Sequence, residues 1–169
     1  MMKKEMEKAF NKQVNAEMYS SYLYLSMESY FQSISLSGFA AWMRAQVQEE
    51  LFHGMKMYDY IHERGGKARL EAIAKPEEKW ETPLVAFEHI LAHEQHVTSL
   101  INNLIDVALD VRDHAAKAFL DWFITEQVEE EATVGQIVDR LRLIGKDSSG
   151  LFLLDTELAK RVFVMPVKK

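Results

Sequence analysis

Along the chain, apolar residues recur with the three-to-four-residue spacing of amphipathic helices, and few turn residues interrupt them. Those interruptions divide the sequence into four long helical segments and a short one. The first runs from about 5 to 31 and ends at the serine-rich stretch 33–37. The second runs from about 38 to 64, with Ser37 as a cap and Gly65-Gly66 as the stop. The third opens at Thr82-Pro83, a capping hydroxyl before a proline in the first turn, and continues to about 110. The fourth starts near Asp113 and ends at Gly145, and a short amphipathic helix over about 149–161 carries Leu151, Leu154 and Leu158 on one face. Short links between segments one and two, and between three and four, make each pair antiparallel. The stretch 67–81 holds Pro76 and no strong period, and is long enough to return along a bundle. The prediction is an all-α single domain spanning 1–169. Its four-helix bundle (about 5–145) runs up, down, long crossover, down, up, with a short C-terminal fifth helix.

Placing the segments on a helical wheel, at about 100° per residue, shows what the apolar stripes contain. In the second segment Phe39, Met43, Val47, Met57 and Ile61 lie within about 60° of one another, with Glu50 at the centre and His53 one turn away. In the third, Glu94 sits among Phe87, Ile90, Leu91, Val97, Ile101 and Ile105. In the fourth, Gln127 and Glu130 interrupt Leu120, Phe123, Ile124, Val134, Val138 and Leu141. In the first, Glu17 shares a face with Phe10, Val14, Ser21 and Tyr24. Glu17, Glu50, Glu94 and Gln127 each fall about 11 to 15 residues into helices about 40 Å long, so antiparallel pairing brings them to one level.

A carboxylate on a buried stripe costs on the order of several kcal/mol unless it is protonated, paired or metal-bound. One such glutamate reads most simply as part of a solvated face; four helices broken at one height do not. No Lys or Arg shares the stripes near that level, so the compensating cation is expected from outside the chain. Four negative charges, on Glu17, Glu50, Glu94 and Glu130, neutralise two divalent ions, with His53 and Gln127 as neutral ligands. Oxygen-rich ligands with one imidazole suit iron or manganese and do not resemble a structural zinc site. Such a set favours Fe(III) over Fe(II), which points to oxidation of Fe(II) by dioxygen.

Composition narrows the picture further. The 169 residues are 48% hydrophobic, with 7 Gly and 3 Pro, enough for a core and too few turn formers for an all-β fold. There is no cysteine, which excludes disulfides, iron–sulfur clusters and thiolate zinc. The net charge of −6, with basic pairs only at Lys3-Lys4 and Lys168-Lys169, argues against nucleic acid as a partner. No signal-like or membrane-length apolar run is present, so a soluble cytoplasmic protein without membrane partners is expected.

These residues resemble the ferritin family, and bacterial non-haem ferritins in particular. A glutamate from each of two helices plus Glu-x-x-His from each of the other two is the known ferritin-like di-iron pattern. Glu50-Leu51-Phe52-His53 matches it, and Glu17 and Glu94 supply single carboxylates. The fourth segment departs, with Gln127-Val128-Glu129-Glu130 in place of a second Glu-x-x-His. That substitution resembles ferritins and not bacterioferritin, and Phe52 stands where the haem-binding subfamily offers an axial methionine; no haem is expected. The resemblance implies iron storage and detoxification by a ferroxidase: two Fe(II) per subunit are oxidised by dioxygen or hydrogen peroxide, and ferric mineral is stored inside a homo-oligomeric 24-subunit shell. By the same resemblance Glu17, Glu50 and His53 hold one iron, and Glu50, bridging, holds the second with Glu94 and Glu130. Gln127 tunes the site. Glu49, Glu126 and Glu129, with Glu130, look like a third iron site, and Tyr24 matches a tyrosine that borders the di-iron pair and can donate an electron.

Other readings compete. A soluble di-iron oxidase or peroxidase without storage would share the ligands; the cysteines of a rubredoxin module are absent, and the tails lack the strong basic charge of a DNA-protecting mini-ferritin. A metal-free helical interaction module would leave a polar layer with no benefit. His89, His93 and His96 have ligand-like spacing but point away from Glu94, towards a face expected to be solvated or to meet another subunit. Asp106, Asp110 and Asp113 are candidates for lining an iron channel, though helix ends attract aspartate as well.

Overall fold

The computed structural model describes residues 1–166, so the basic pair Lys168-Lys169 lies outside the described residues. Four long helices and a short one form in the expected order: α1 (Lys4–Ser33), α2 (Ser37–Glu63), α3 (Pro83–Asp110), α4 (His114–Ile144) and α5 (Ser148–Leu158). Helices α1 and α2 pair as one hairpin and α3 and α4 as another. The segment between the hairpins is tied along α1 from its N-terminal half to its C-terminal half. Asn11 Nδ2 donates to the Lys67 carbonyl at 3.0 Å, Asn11 Oδ1 accepts from Arg69 N at 2.5 Å, and Ser26 Oγ donates to the Glu77 carbonyl at 2.6 Å. The crossover therefore carries the chain from one end of the bundle to the other, and α3 descends beside α1.

Local chemistry sets most boundaries. Thr82 Oγ1 accepts from Val85 N at 3.1 Å with Pro83 in the first turn, and Asp113 accepts from Ala116 N to start α4. Gly65, at φ +70°, ends α2 in the left-handed region open to glycine. Ser37 is a helical residue whose side chain caps nothing. The amide of Phe39 instead donates to Asp155 Oδ1 of α5 at 2.9 Å, a long-range substitute for the expected local cap. The fifth helix is shorter than expected: it closes at Leu158, and Lys160 and Arg161 make i→i−3 turn bonds before the chain extends.

Buried apolar residues fall into two clusters along the bundle. One gathers Leu23, Met27, Phe31, Phe39, Met43, Phe87, Ile90, Val134, Val138 and Leu141, with Leu154 and Leu158 of α5 packed on it. The other gathers Met6, Phe10, Val14, Met57, Ile61, Ile101, Leu104, Leu120 and Phe123. Polar residues occupy the level between them: Glu17, Glu50, His53, Glu94, Gln127 and Glu130 are all buried, as are Gln13, Ser20 and Gln46.

Helix α5 docks where α2 has no side chain. A Cβ on Gly38 would stand 1.7 Å from the Asp155 carbonyl oxygen, which backbone cannot accommodate. Gly38→Ala is expected to lift α5 off the bundle and cost about 1–3 kcal/mol, the range for forced overpacking. Thermal unfolding and hydrogen exchange over residues 148–158 read this out, and unchanged protection there would show that the contact is not needed.

Candidate metal centre

Each half of the polar layer is held differently. Glu17 of α1 and Glu50 and His53 of α2 each offer a ligand atom within 4.8 Å of the others. His53 Nδ1 is 3.6 Å from Glu50 Oε2, too long for a hydrogen bond. Gln13, one turn before Glu17, donates to Glu17 Oε1 at 2.8 Å, and Glu17 Oε2 has no hydrogen-bond partner. An orphaned, buried carboxylate oxygen on a residue grouped with a second carboxylate and an imidazole is an arrangement a cation completes.

The other half is held by protein donors. Tyr24 OH donates to Glu94 Oε1, and Gln127 Nε2 lies 3.3 Å from Glu94 Oε2 and 3.3 Å from Thr98 Oγ1. Gln46 Nε2 donates to Glu130 Oε2 at 3.0 Å, leaving Gln46 Oε1 unpartnered. Glu94 and Glu130 thus stand outside the close Glu17–Glu50–His53 group, although their charges are felt by Glu50. Gln13, Gln46 and Thr98 were not singled out from the sequence. Each lies one turn from a buried carboxylate of its own helix, and that spacing is the signal that could have found them.

Proton affinities follow from this burial. Glu17 is pushed up to about 7, burial outweighing the Gln13 hydrogen bond. Glu130 is pushed up to about 8 by burial and by the charges of Glu94 and Glu49. Burial, reinforced by Glu94, Glu17 and Glu130, carries Glu50 well above the usual carboxylate range. Glu94 is raised by burial against the bonds from Tyr24 and Gln127. His53 moves the opposite way, to about 4, through burial and then the nearby Lys56 charge. At neutral pH the imidazole is therefore unprotonated, the form that binds a metal.

On the outer side, Glu49, His53 and Glu126 also offer ligand atoms within 4.8 Å of one another, so one imidazole borders both groups. Glu129 is exposed and outside that group; after burial, its charge is the largest influence raising Glu126. Two protein cations flank this side, a feature that stripes on four helices did not disclose. Lys56 Nζ lies 3.4 Å from the centre of the Trp122 ring, and Arg161, just beyond α5, is paired with Glu49 at 2.6 Å.

The histidines of α3 are not a uniformly solvated face. His93 Nε2 is 2.8 Å from Ser20 Oγ and His89 Nδ1 accepts from Trp80 Nε1 at 2.9 Å; these fasten α3 to α1 and to the crossover, and only His96 is exposed. Asp113 is a buried cap bonded at both oxygens to Arg64, while Asp106 and Asp110 are exposed.

A paired-hairpin bundle with a carboxylate-rich layer between two apolar clusters defines a ferritin-like protein. The Ferritin-like domain family model matches residues 7–144. Similar proteins include a bacterial non-heme ferritin of Bacteroides fragilis, 45% identical over 161 residues that cover 95% of this chain and all of that one, and one of Staphylococcus saprophyticus, 44% identical over 163 residues, 96% of this chain and 98% of that one. Among solved structures, an open-pore ferritin of the archaeon Archaeoglobus fulgidus superposes with a TM-score of 0.95 at 52% identity over 95% of this chain and 99% of that one. A humanized archaeal ferritin reaches 0.97 at 52% identity over 98% and 100%. The chain belongs to the ferritin family.

The raised carboxyl pKa values fix a pH dependence. A carboxyl with a folded pKa above its ordinary 4.5 contributes most to stability below that value, and this contribution is lost as pH rises towards the folded pKa. The metal-free chain should lose melting temperature between about pH 5 and about pH 8, and Mn(II), a redox-inert stand-in for Fe(II), should restore it. Titration calorimetry in buffers of different ionisation enthalpy should find protons released per Mn(II) near pH 6. No proton release would contradict the assigned protonation.

Proposed function

We propose that the chain acts as one ferritin-like domain that oxidises Fe(II) at the buried layer and stores the ferric product inside a homo-oligomeric shell, expected to hold 24 subunits, in the cytoplasm. The observation that carries this reading is the unpartnered buried oxygen of Glu17 beside Glu50 and the neutral His53. That half of the layer lacks a protein cation of its own, and an Fe(II) ion supplies it. Among the described residues no helix is long and apolar enough to cross a membrane.

The layer suits two Fe(II) substrates. Glu17, Glu50 and His53 hold the first. Glu50, with Glu94 and Glu130, holds the second, and Gln127 orients Glu94 through its Oε2 while Gln46 does the same for Glu130. Binding displaces the protons that burial keeps on these carboxyls, because cations at this level reverse the cost of ionisation. Each Fe(II) gives up one electron, and dioxygen takes the pair with two protons and leaves as hydrogen peroxide. Peroxide can serve as the acceptor in a further turnover, taking two electrons and two protons to become two waters. Where a third Fe(II) also gives up its electron, Tyr24, a neutral phenol bonded to Glu94, can supply the fourth and pass its proton to that carboxylate, so that dioxygen takes four electrons and four protons to become two waters. A third iron is assigned to Glu49 and Glu126 with Glu129 at the rim.

Rapid oxidation then depends on carboxylates from both hairpins. Glu50→Ala and Glu94→Ala should each slow the fast phase of Fe(II) oxidation by at least tenfold in stopped-flow absorbance. The bundle should stay folded by circular dichroism, since removing a buried carboxyl also removes its desolvation cost. Wild-type rates in both variants would show that oxidation happens elsewhere.

A further inference from the structure

After α5 the chain does not leave the bundle. Residues 161–166 form neither helix nor strand, and the first of them alternate in burial: Arg161 and Phe163 are partly buried while Val162 and Val164 are exposed. Phe163 packs on Phe52 of α2 with ring centres 6.0 Å apart. The Arg161 guanidinium lies 4.5 Å from the centre of the buried Trp42 ring and donates to Glu49 Oε2 at 2.6 Å. Both partners of this pair are mostly buried, with side-chain exposures of 22% and 19%. Helix α5 is itself fixed to the start of α2 by the Phe39–Asp155 bond and the tight approach at Gly38. The tail thus brings one cation to one carboxylate of the outer group.

We propose that Arg161 is a built-in competitor for the third iron: its guanidinium holds Glu49 when the outer site is empty, and a metal ion bridging Glu49 and Glu126 must displace it. This rests on the assignment of a third iron to Glu49 and Glu126. The physical ground is that Glu49 lies within 4.8 Å of His53 and Glu126 through ligand atoms, yet its Oε2 is already engaged in a short charge-assisted bond to Arg161. A cation arriving there meets a carboxylate partly neutralised and a second positive charge close by, so its affinity is lowered. Stacking on Trp42 and the Phe163–Phe52 contact hold the guanidinium at Glu49 in the metal-free chain, so an arriving ion must break the Arg161–Glu49 bond to take that carboxylate. The inner pair feels the same charge less: of its proposed ligands, Glu130 is influenced by Arg161 only after burial, Glu94 and Glu49, and none is paired with Arg161 directly. The outer site would accordingly fill last, after the pair, and the tail would set the iron concentration at which it does so.

The test is anaerobic Fe(II) titration by calorimetry on the assembled full-length protein, comparing wild type with Arg161→Gln and Arg161→Lys. Removing the charge should tighten the third binding event per subunit at least fivefold, change the second, to which Glu130 contributes, by a smaller factor, and affect the first least. Lysine, which keeps the charge, should return the third event towards wild type. Phe163→Ala, which loosens the tail without touching the charge, should tighten the third event by a smaller factor. A third event of equal or weaker affinity in Arg161→Gln overturns the competition while leaving the third site standing. Two events and no third in every variant overturns the third site and the competition with it. Loss of all three in wild type overturns the oxidation site itself.

Discussion

Burying four carboxyl groups at one level of a helical bundle is the constraint around which the rest of the chain is arranged. Alone, each would cost on the order of several kcal/mol, so the fold raises their proton affinity, bonds them to neutral donors or leaves them for a cation. All three solutions occur side by side. Burial and its acidic neighbours raise the proton affinity of Glu50, Glu94 and Glu130 are held by Tyr24, Gln127 and Gln46, and Glu17 keeps one oxygen with no partner. The apolar core is consequently two clusters and not one, and stability must come from each cluster separately. Returning to the far end by the long crossover before α3 begins sets the direction of α3, antiparallel to α1 beside it, while the similar lengths of the helices put their middles at one level.

The asymmetry between the two halves of the layer has a functional sense. The half with a free carboxylate oxygen and a neutral imidazole is ready for a metal, whereas the half tied up by Tyr24, Gln127 and Gln46 must exchange hydrogen bonds for coordination. A first ion at Glu17, Glu50 and His53 would shed the Glu50 proton and make that carboxylate available as a bridge. On the proposed assignment, loading would be sequential, with the neutral donors holding the carboxylates of the second half in place until a second ion arrives.

Much of this was legible in the sequence because its signals are local and periodic. Apolar spacing marked four helices, Thr82-Pro83 and Gly65 marked their ends, and the six polar residues stood out against clean stripes. What escaped was long-range. The start of α2 is capped by Asp155, 116 positions away in sequence, where a local rule pointed to Ser37. The fifth helix closes at Leu158, and Arg161 beyond it pairs with Glu49, a pairing no periodicity encodes. His93 and His89 looked solvated on a wheel of α3 alone, yet α1 and the crossover cover them. Pattern reading locates what a helix presents; it does not say which distant loop or tail arrives to meet it.

The central claim is that the buried layer holds a pair of Fe(II) ions, and anomalous diffraction at the iron edge from crystals loaded with Fe(II) without oxygen tests it most directly. The account predicts two peaks per subunit inside the bundle, one among Glu17, Glu50 and His53 and one among Glu50, Glu94 and Glu130. Iron found only on the outer surface, with the interior layer empty, would contradict it.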